Sequence, residues 1–483
     1  MAGCPIRLMS AINYNVKIQG LKKMISTILI GLAAVVATGG IYYAWVSFPI
    51  ISGFGAKQKC SCMFVSGRDE ASVDKDELGG FPFPIVSYKV DTEAKTVTGS
   101  ILGFAVKKAI YRDKLGCTLI NEIPEEETRA QQFNIPPPPS IDQSKLFFPE
   151  GNKMKDSVFS GVDYSRLSEA INTAFTEPNP DKQQRTRAVV VLYNGELIAE
   201  KYAPGFNEYT KMYGWSMAKS TTAAQIGILE KEGKLNINEP APVAFWKDPA
   251  DPRHTITIKD LLQQMSGLDF EENYTKSSDV TDMLHKKADM GGYTASLPLA
   301  HQPGTVFNYS SGNSNILSKI IRNTVGEKNY AAFPYTSLFY RIGMYNTLLE
   351  PDANGTYVGS SYIMATAKDY ARFGLLYLNN GIWQGERILP ENWVNETTKA
   401  PAANKLQNYG YQFWLNGFSE TNPKERVFKD VPSDLFYCDG FGEQGIFIIP
   451  SKKLVVVRLG LTLDKSFDVN GFLKDIIESV EKN

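Results

Sequence analysis

Ser216 and Lys219 stand three positions apart in Gly214-Trp-Ser-Met-Ala-Lys219, at the head of the apolar run that continues through Ala223, Ala224, Ile226 and Leu229 to Gly233. On a helix that spacing puts both side chains on one face, one turn apart, with an amine within reach of a hydroxyl. A serine hydroxyl is a poor nucleophile until a base takes its proton. A lysine can be that base only where burial or nearby cations lower its pKa. An apolar helix pressed into a core supplies the burial, and attack on a carbonyl is the chemistry such a pair could do. Ser-x-x-Lys also occurs at Ser72-Val-Asp-Lys75 and Ser479-Val-Glu-Lys482, in a charged stretch and at the C-terminus. Neither has a buried setting. The competing reading of the first pair is a helix-capping serine beside a surface lysine.

Two further stretches carry candidate groups. Tyr309 lies in Pro303-Gly-Thr-Val-Phe-Asn-Tyr-Ser-Ser-Gly-Asn313, just ahead of a helical pattern. A tyrosine there could share the proton with Lys219 and pass it to a leaving group. Beside an ammonium its phenol is expected to fall below the usual value of about 10. The alternative is a core tyrosine followed by a capping serine. The second stretch is Asp439-Gly-Phe-Gly-Glu-Gln-Gly445. Its glycines allow close backbone approach, and a strand edge there offers N–H groups to an oxyanion. Ser311, Gly442, Gln444 and Gly445 are the substrate-binding or oxyanion candidates. An ordinary glycine-rich turn is the plain alternative.

These groups need elements to hold them. Residues 188–192 and 196–202 are apolar runs flanking Asn194-Gly195, the strongest short hairpin signal available. Late strands follow at 445–450 and 454–458, and a closing helix at 470–480. Between them, residues 255–267, 311–325 and 365–378 have helical patterns. Residues 164–175 also have helical spacing. The economical arrangement is α+β: one antiparallel sheet built from both ends of the domain, a helical block beside it, and a cleft between.

Composition narrows the function classes. A net charge of −1 offers no footprint for nucleic acid. The three histidines, His254, His285 and His301, fit no metal spacing, so neither metal nor cofactor is expected. Residues 25–56 carry no charge, and 25–48 are long and apolar enough to span a bilayer. Arg7, Lys17, Lys22 and Lys23 precede that run, which orients the N-terminus inward and everything after the run outside the cytoplasm. Tyr42, Tyr43 and Trp45 suit the outer interface. A signal sequence cut after Ala37-Thr38-Gly39 is the rival, and a start at Met24 would remove the four basic residues. The expected organisation is a cytoplasmic tail at 1–23, unstructured before Met24, and an anchor (or signal sequence) at 24–50. A small extracytoplasmic region at 51–135 begins loosely over 57–80 and continues in short strands. A Pro-rich linker at 136–149 then leads to the main domain at 150–483. Cys60 or Cys62 could pair with Cys117 in an oxidising compartment; Cys4 and Cys438 complete the five.

Taken together, the three stretches resemble the β-lactamase-related serine hydrolases, a family that includes class C β-lactamases, D-Ala-D-Ala peptidases, esterases and 6-aminohexanoate-dimer hydrolases. The resemblance covers roughly residues 150–480. It extends to Leu261-Leu-Gln-Gln-Met-Ser-Gly-Leu268, to Pro303-Gly-Thr-Val-Phe-Asn-Tyr-Ser310, and to the helix containing Asp369-Tyr-Ala-Arg-Phe-Gly374. It implies a β-lactamase-like fold, an acyl-enzyme on Ser216, Lys219 and Tyr309 as base and acid, and an oxyanion hole from the Ser216 N–H and one N–H of residues 439–445. Two departures bear on substrate. Ser311 stands where many members have asparagine, as in the aminohexanoate-dimer hydrolase group. The usual Lys-Thr-Gly or His-x-Gly is replaced by residues 439–445, which removes the cation that would bind a substrate carboxylate unless Arg426, Lys429 or His301 substitutes. The implied partner is a small-molecule or peptide-like ester or amide, with the esterase or aminohexanoate branch favoured. A penicillin-binding or sensing protein acylated at Ser216 is the alternative. An α/β-hydrolase, suggested by Gly214-Trp-Ser-Met-Ala218, fails on the hairpin and on the lack of any histidine after His301.

Overall fold

The computed structural model describes residues 6–480 apart from Ser157, with side chains from Lys22 onward. Cys4 and Lys482 lie outside the described residues, and Arg7 and Lys17 outside the described side chains. Helix α1 runs over Ile6–Phe64. The stretch before Met24, expected to be unstructured, is therefore helical from Ile6, and residues 6–23 hold no proline to break the pattern. The apolar side chains between Met24 and Trp45 are exposed. Beyond Ser52 the same helix is buried, with Ala56, Lys57, Lys59 and Cys60 in the interior.

The expectation that residues 57–80 are loose is corrected here. Their polarity is internal pairing rather than solvation. Lys57 forms an ion pair with Glu350 and donates to Ser61 Oγ and to the Tyr213 hydroxyl, both at 3.0 Å. Glu350 also accepts from Ser61 Oγ at 2.8 Å and from the Cys117 N–H at 2.7 Å. Lys59 pairs with Glu70 at 2.7 Å and Asp74 at 2.8 Å, in the short helix Glu70–Asp76. A buried charge needs such partners to be tolerable.

Four antiparallel strands, β1 (Ser87–Asp91), β2 (Thr96–Ile101), β3 (Phe104–Arg112) and β4 (Gly116–Leu119), pack against the end of α1. Ala56, Cys60, Val97, Ala109, Cys117 and Leu119 fill the seam, and a Cys60–Cys117 disulfide closes it. Cys62 is buried and unpaired. The proline-rich stretch lies fastened along the large domain: the Tyr340 hydroxyl donates to Pro136 O at 3.0 Å, Gln143 Nε2 donates to Gly343 O at 2.8 Å, and Phe148 is buried.

The large domain opens with α2 (Tyr164–Ala174), then β5 (Ala188–Tyr193) and β6 (Glu196–Tyr202). Asn194 and Gly195 both take positive φ, 51° and 81°, as a two-residue hairpin turn between right-twisted strands requires. Helices α3 (Met217–Lys231), α4 (Ser311–Val325) and α5 (Ala367–Leu378) follow. Strands β7 (Trp414–Leu415), β8 (Phe436–Gly440), β9 (Gln444–Ile449) and β10 (Leu454–Leu459) lead to α6 (Val469–Ser479). The sheet order is β7-β8-β9-β10-β5-β6, antiparallel throughout. The expected closure by both terminal segments is realised in the β10–β5 pairing. One sheet face is covered by α2 and α6 through Leu167, Ile171, Leu473 and Ile476. The other carries the helical block, with α5 laid directly on the strands. The helix expected over 255–267 is shorter, Ile258–Leu262, because the backbone turns at Gln264 with φ of 60°.

Candidate active site

A short strand, Met212–Tyr213, pairs with Ile363–Ala365 and delivers the chain to the nucleophile turn. Gly214 has no room for a side chain: a Cβ there would sit 2.5 Å from the Tyr370 hydroxyl and 2.8 Å from Ile363. Trp215 then takes a φ of 49°, a left-handed conformation costly for an L-residue, and throws Ser216 onto the first turn of α3. The turn uses the amides of Met217, Ala218 and Lys219, on Gly214 O, Trp215 O and Ser216 O. The Ser216 N–H takes no part in it. Nor does the Ser216 side chain form a capping bond, so the plain capping role is set aside.

Lys219 is 1% exposed. Its Nζ is 3.0 Å from each of three oxygens: Ser216 Oγ, Ser311 Oγ and the Ser360 carbonyl. Burial brings its pKa down to about 8, against the opposing pull of the Glu272 and Asp439 carboxylates. The identity of the three oxygens decides how a neutral amine must sit. A carbonyl can only accept. The Ser311 hydroxyl donates its proton to Glu272 Oε1 at 2.6 Å, so toward the lysine it too can only accept. A neutral amine has two N–H donors and one lone pair. With both N–H groups taken by Ser360 O and Ser311 Oγ, the lone pair faces Ser216 Oγ–H. That is the geometry of a general base poised on a nucleophile.

Tyr309 is brought to the same place. Its hydroxyl lies close enough to the Ser216 side chain to be influenced by it, and its ring stands 4.9 Å from Lys219 Nζ, measured to the centroid. Trp414 stacks on that ring at 5.3 Å and Tyr409 meets it edge-on at 5.8 Å. The expected lowering of the phenol pKa is overturned. Burial first, then the proximity of Tyr409 and Glu272, push it well above 10. Tyr309 is thus placed as a neutral hydroxyl that can relay a proton, not as a phenolate.

The other sequence candidates separate. Ser311 is buried behind the lysine, between it and Glu272, rather than open to the cleft. Gln444 holds neighbouring backbone together: its side chain accepts from the Gly460 N–H at 3.0 Å and donates to Gly460 O and Phe441 O. Gly442 O accepts from Arg458 at 3.1 Å, and Gly445 lies under the Phe447 ring. In that segment the closest approach to the nucleophile turn is at Gly440, where a Cβ would lie 2.2 Å from Gly214 O. The Asp439 carboxyl, raised chiefly by desolvation and then by Glu443, lies close enough to interact with Lys219. Arg426 is turned away, donating to Asn416 O at 2.6 Å and lying over Phe418.

Sequence reasoning missed Glu272, Tyr274, Gln264 and Gln412. The Tyr274 hydroxyl donates to Glu272 at 2.8 Å, and Glu272 also accepts from the Ser311 N–H at 2.8 Å. Asp269, Glu271 and Glu272 line the open pocket at Tyr309 with Phe270 and Asn308; Glu271 is paired with Lys276. Gln264 Oε1 accepts from the Ser310 N–H at 3.2 Å and from Asn313 at 2.8 Å, which fixes the Tyr309 turn. Gln412 accepts from Ser314 on α4 and, through its backbone carbonyl, from Ser220 on α3, both at 2.6 Å. The available signal was the acidic and aromatic run Asp269-Phe-Glu-Glu-Asn-Tyr274, directly after the Ser266-Gly-Leu268 segment already singled out.

Comparison with known proteins gives the family and the fold. The family model described as Beta-lactamase matches residues 171–469. The 6-aminohexanoate-dimer hydrolase of Paenarthrobacter ureafaciens is 22% identical over 270 residues, which is 50% of this chain and 69% of that protein. Protein flp of Staphylococcus aureus strain MRSA252 is 30% identical over 179 residues, 35% of each chain, so only about a third of that relative is spanned. Among solved structures, a family VIII carboxylesterase superposes with a TM-score of 0.52 at 15% identity, covering 68% of this chain and 99% of its own. That last likeness is one of fold.

Proposed function

The chain belongs to the Beta-lactamase family, and on that premise we propose that it is a membrane-anchored serine hydrolase acting on an ester or amide through an acyl-enzyme at Ser216. The observation that carries the reading is the buried Lys219 amine, 3.0 Å from Ser216 Oγ, with its pKa brought down to about 8. Ser216 Oγ attacks the carbonyl carbon and its proton passes to Lys219 Nζ. The developing oxyanion is held by the Ser216 N–H and a backbone N–H of residues 439–445. Collapse breaks the bond to the leaving group. Tyr309 gives that group a proton and regains one from Lys219. Water repeats the sequence on the acyl carbon and frees Ser216.

The esterase or aminohexanoate-type branch fits better than a penicillin-binding role. The pocket at Tyr309 is lined by Asp269, Glu271 and Glu272, which repel a carboxylate held next to the scissile bond, as in a penicillin or a D-Ala-D-Ala peptide, and suit an ester or an amine-bearing chain instead. The division at 24–50, 51–135, 136–149 and 150–483, with the catalytic part outside the cytoplasm, belongs to the same proposal. It draws on the exposed apolar stretch of α1 and on the Cys60–Cys117 disulfide, which suits an oxidising compartment. The test is a fluorophosphonate probe together with a panel of p-nitrophenyl esters, nitrocefin and short linear amides. Labelling and turnover should vanish in Ser216→Ala and persist when Ser72 or Ser479 is replaced. Labelling that survives Ser216→Ala places the nucleophile elsewhere.

A further inference from the structure

Strand β3 runs alongside α1 in the same direction. Ser52 Oγ donates to Ala105 O at 2.6 Å near one end, and Tyr111 meets Phe64 at 6.2 Å between ring centroids near the other. The β2–β3 turn therefore points back along α1, toward its exposed apolar stretch. That turn is apolar: Leu102 is 84% exposed and Phe104 72%, with Val106 also open. Trp45, itself 81% exposed, shares a shallow groove with Pro49, Ala105, Val106, Lys107 and Lys286. A second prominence lies at Phe81, 85% exposed, on the loop whose Phe83 stacks on Phe54 of α1 at 4.7 Å.

Exposed apolar groups from separate pieces of chain thus gather at one end of the domain, where α1 emerges. Such a patch on a water-facing surface marks an interaction site. It is continuous with the candidate membrane span. The lysines beside it can keep their charged heads among anionic headgroups while their stems lie on apolar surface. The same end is close to the catalytic turn. Phe54 lies nine positions past Trp45, about 14 Å along a helix axis. Its ring stacks on Trp215 at 6.1 Å, and Trp215 immediately precedes Ser216. Phe441, half exposed, meets Trp215 edge-on at 5.6 Å.

We infer that this end of the domain docks on the bilayer surface, and that the substrate is an amphiphile drawn from the leaflet: a long-chain acyl ester or amide whose chain lies along Phe83, Trp215 and Phe441 as its carbonyl reaches Ser216. The substrate half rests on the serine-hydrolase reading; the docking half does not. The experiment uses the full chain in nanodiscs. In Leu102→Ser/Phe104→Ser, hydrolysis of soluble p-nitrophenyl acetate stays within about twofold of wild type. Hydrolysis of a long-chain p-nitrophenyl ester dissolved in the nanodisc falls about tenfold or more, the scale set by removing two large apolar groups from the interface. An unchanged long-chain rate, or an equal loss on both esters, overturns the substrate assignment. Docking is read without activity. Phe104→Trp in nanodiscs of brominated lipid shows quenching in excess of wild type, and no excess overturns the docking. Wild-type protein that turns over neither ester contradicts the hydrolase reading itself, while the quenching result still decides the docking.

Discussion

At the scale of single residues, the chemistry turns on which atoms around Lys219 can donate. Glu272 has the decisive part, because by taking the Ser311 proton at 2.6 Å it leaves Ser216 as the donor to the amine. In Lys219→Arg the guanidinium stays protonated at any working pH, so activity should fall at least about 10²-fold, as in Lys219→Ala. Near-normal kcat/KM for Lys219→Arg would mean that positive charge, not a free amine, is required. For wild type, kcat/KM should rise with pH through an apparent value near 8, because the base works only when deprotonated. That value belongs to the coupled lysine–tyrosine pair. The Glu272 charge raises the Lys219 pKa, so Glu272→Gln should move the pH profile toward acid; a shift toward alkali would contradict the assignment. The same lowered pKa has a stability sign. A lysine at about 8 folded and 10.5 unfolded makes the native state less stable below pH 8, and the penalty disappears as pH rises to 10.5. Lys219→Met should therefore melt higher at pH 7, by up to about 3 kcal/mol less the lost hydrogen bonds. The gain should shrink by pH 10 in melts of the same preparation.

At the scale of elements, α3 and α4 are both tied to one residue: Gln412 accepts from Ser220 through its backbone carbonyl, and its side chain joins α4 to the short helix Ile258–Leu262. Gln412 Nε2 donates to Leu261 O and Leu262 O at 3.0 and 2.9 Å, while its Oε1 takes the Ser314 proton. Gln412→Leu leaves those buried partners unsatisfied, at about 1–3 kcal/mol for each. It should lower the melting temperature and reduce kcat more than KM. A kcat/KM pH profile that keeps its midpoint would separate this positioning role from a change at Lys219 itself. The periodicities of α3, α4 and α5 were legible in the sequence, as was the Asn194-Gly195 hairpin, because local pattern and burial agree there. The helix over 255–267 was overread. Its apolar spacing continues past the point where Gln264, at φ of 60°, turns to hold the tyrosine loop.

At the scale of the whole molecule, the end of α1 and the small sheet are built into the catalytic domain. Lys57 reaches Glu350 and Tyr213, three positions before Ser216, and Phe54 stacks on Trp215. The Cys60–Cys117 bridge closes a separation of 57 residues, worth about 4 kcal/mol in the chain-entropy account. Cys60→Ala/Cys117→Ala should melt lower by an amount of that order and slow ester turnover, because the seam it closes supports the nucleophile turn. Turnover unchanged at matched folded fraction would separate the small sheet from the site. Protease added to right-side-out cells should cut the large domain; its protection would refute the extracytoplasmic placement.

Sequence by itself pointed to the Ser216–Lys219 pair, the tyrosine stretch, the α+β architecture and the apolar span. Each rests on a local pattern: a helical spacing, a hairpin dipeptide, an uncharged run. Tertiary structure alone decided what surrounds those groups. Lys57 and Lys59 read as solvated until Glu350, 293 positions away, and Asp74 are seen to pair with them. Glu272 became part of the site only because the loop after Gly267 folds back on α4. The direction of the Tyr309 shift could not be read from its neighbours in sequence. It is set first by the burial of the phenol itself and then by Tyr409 and Glu272, which only the folded chain brings around it.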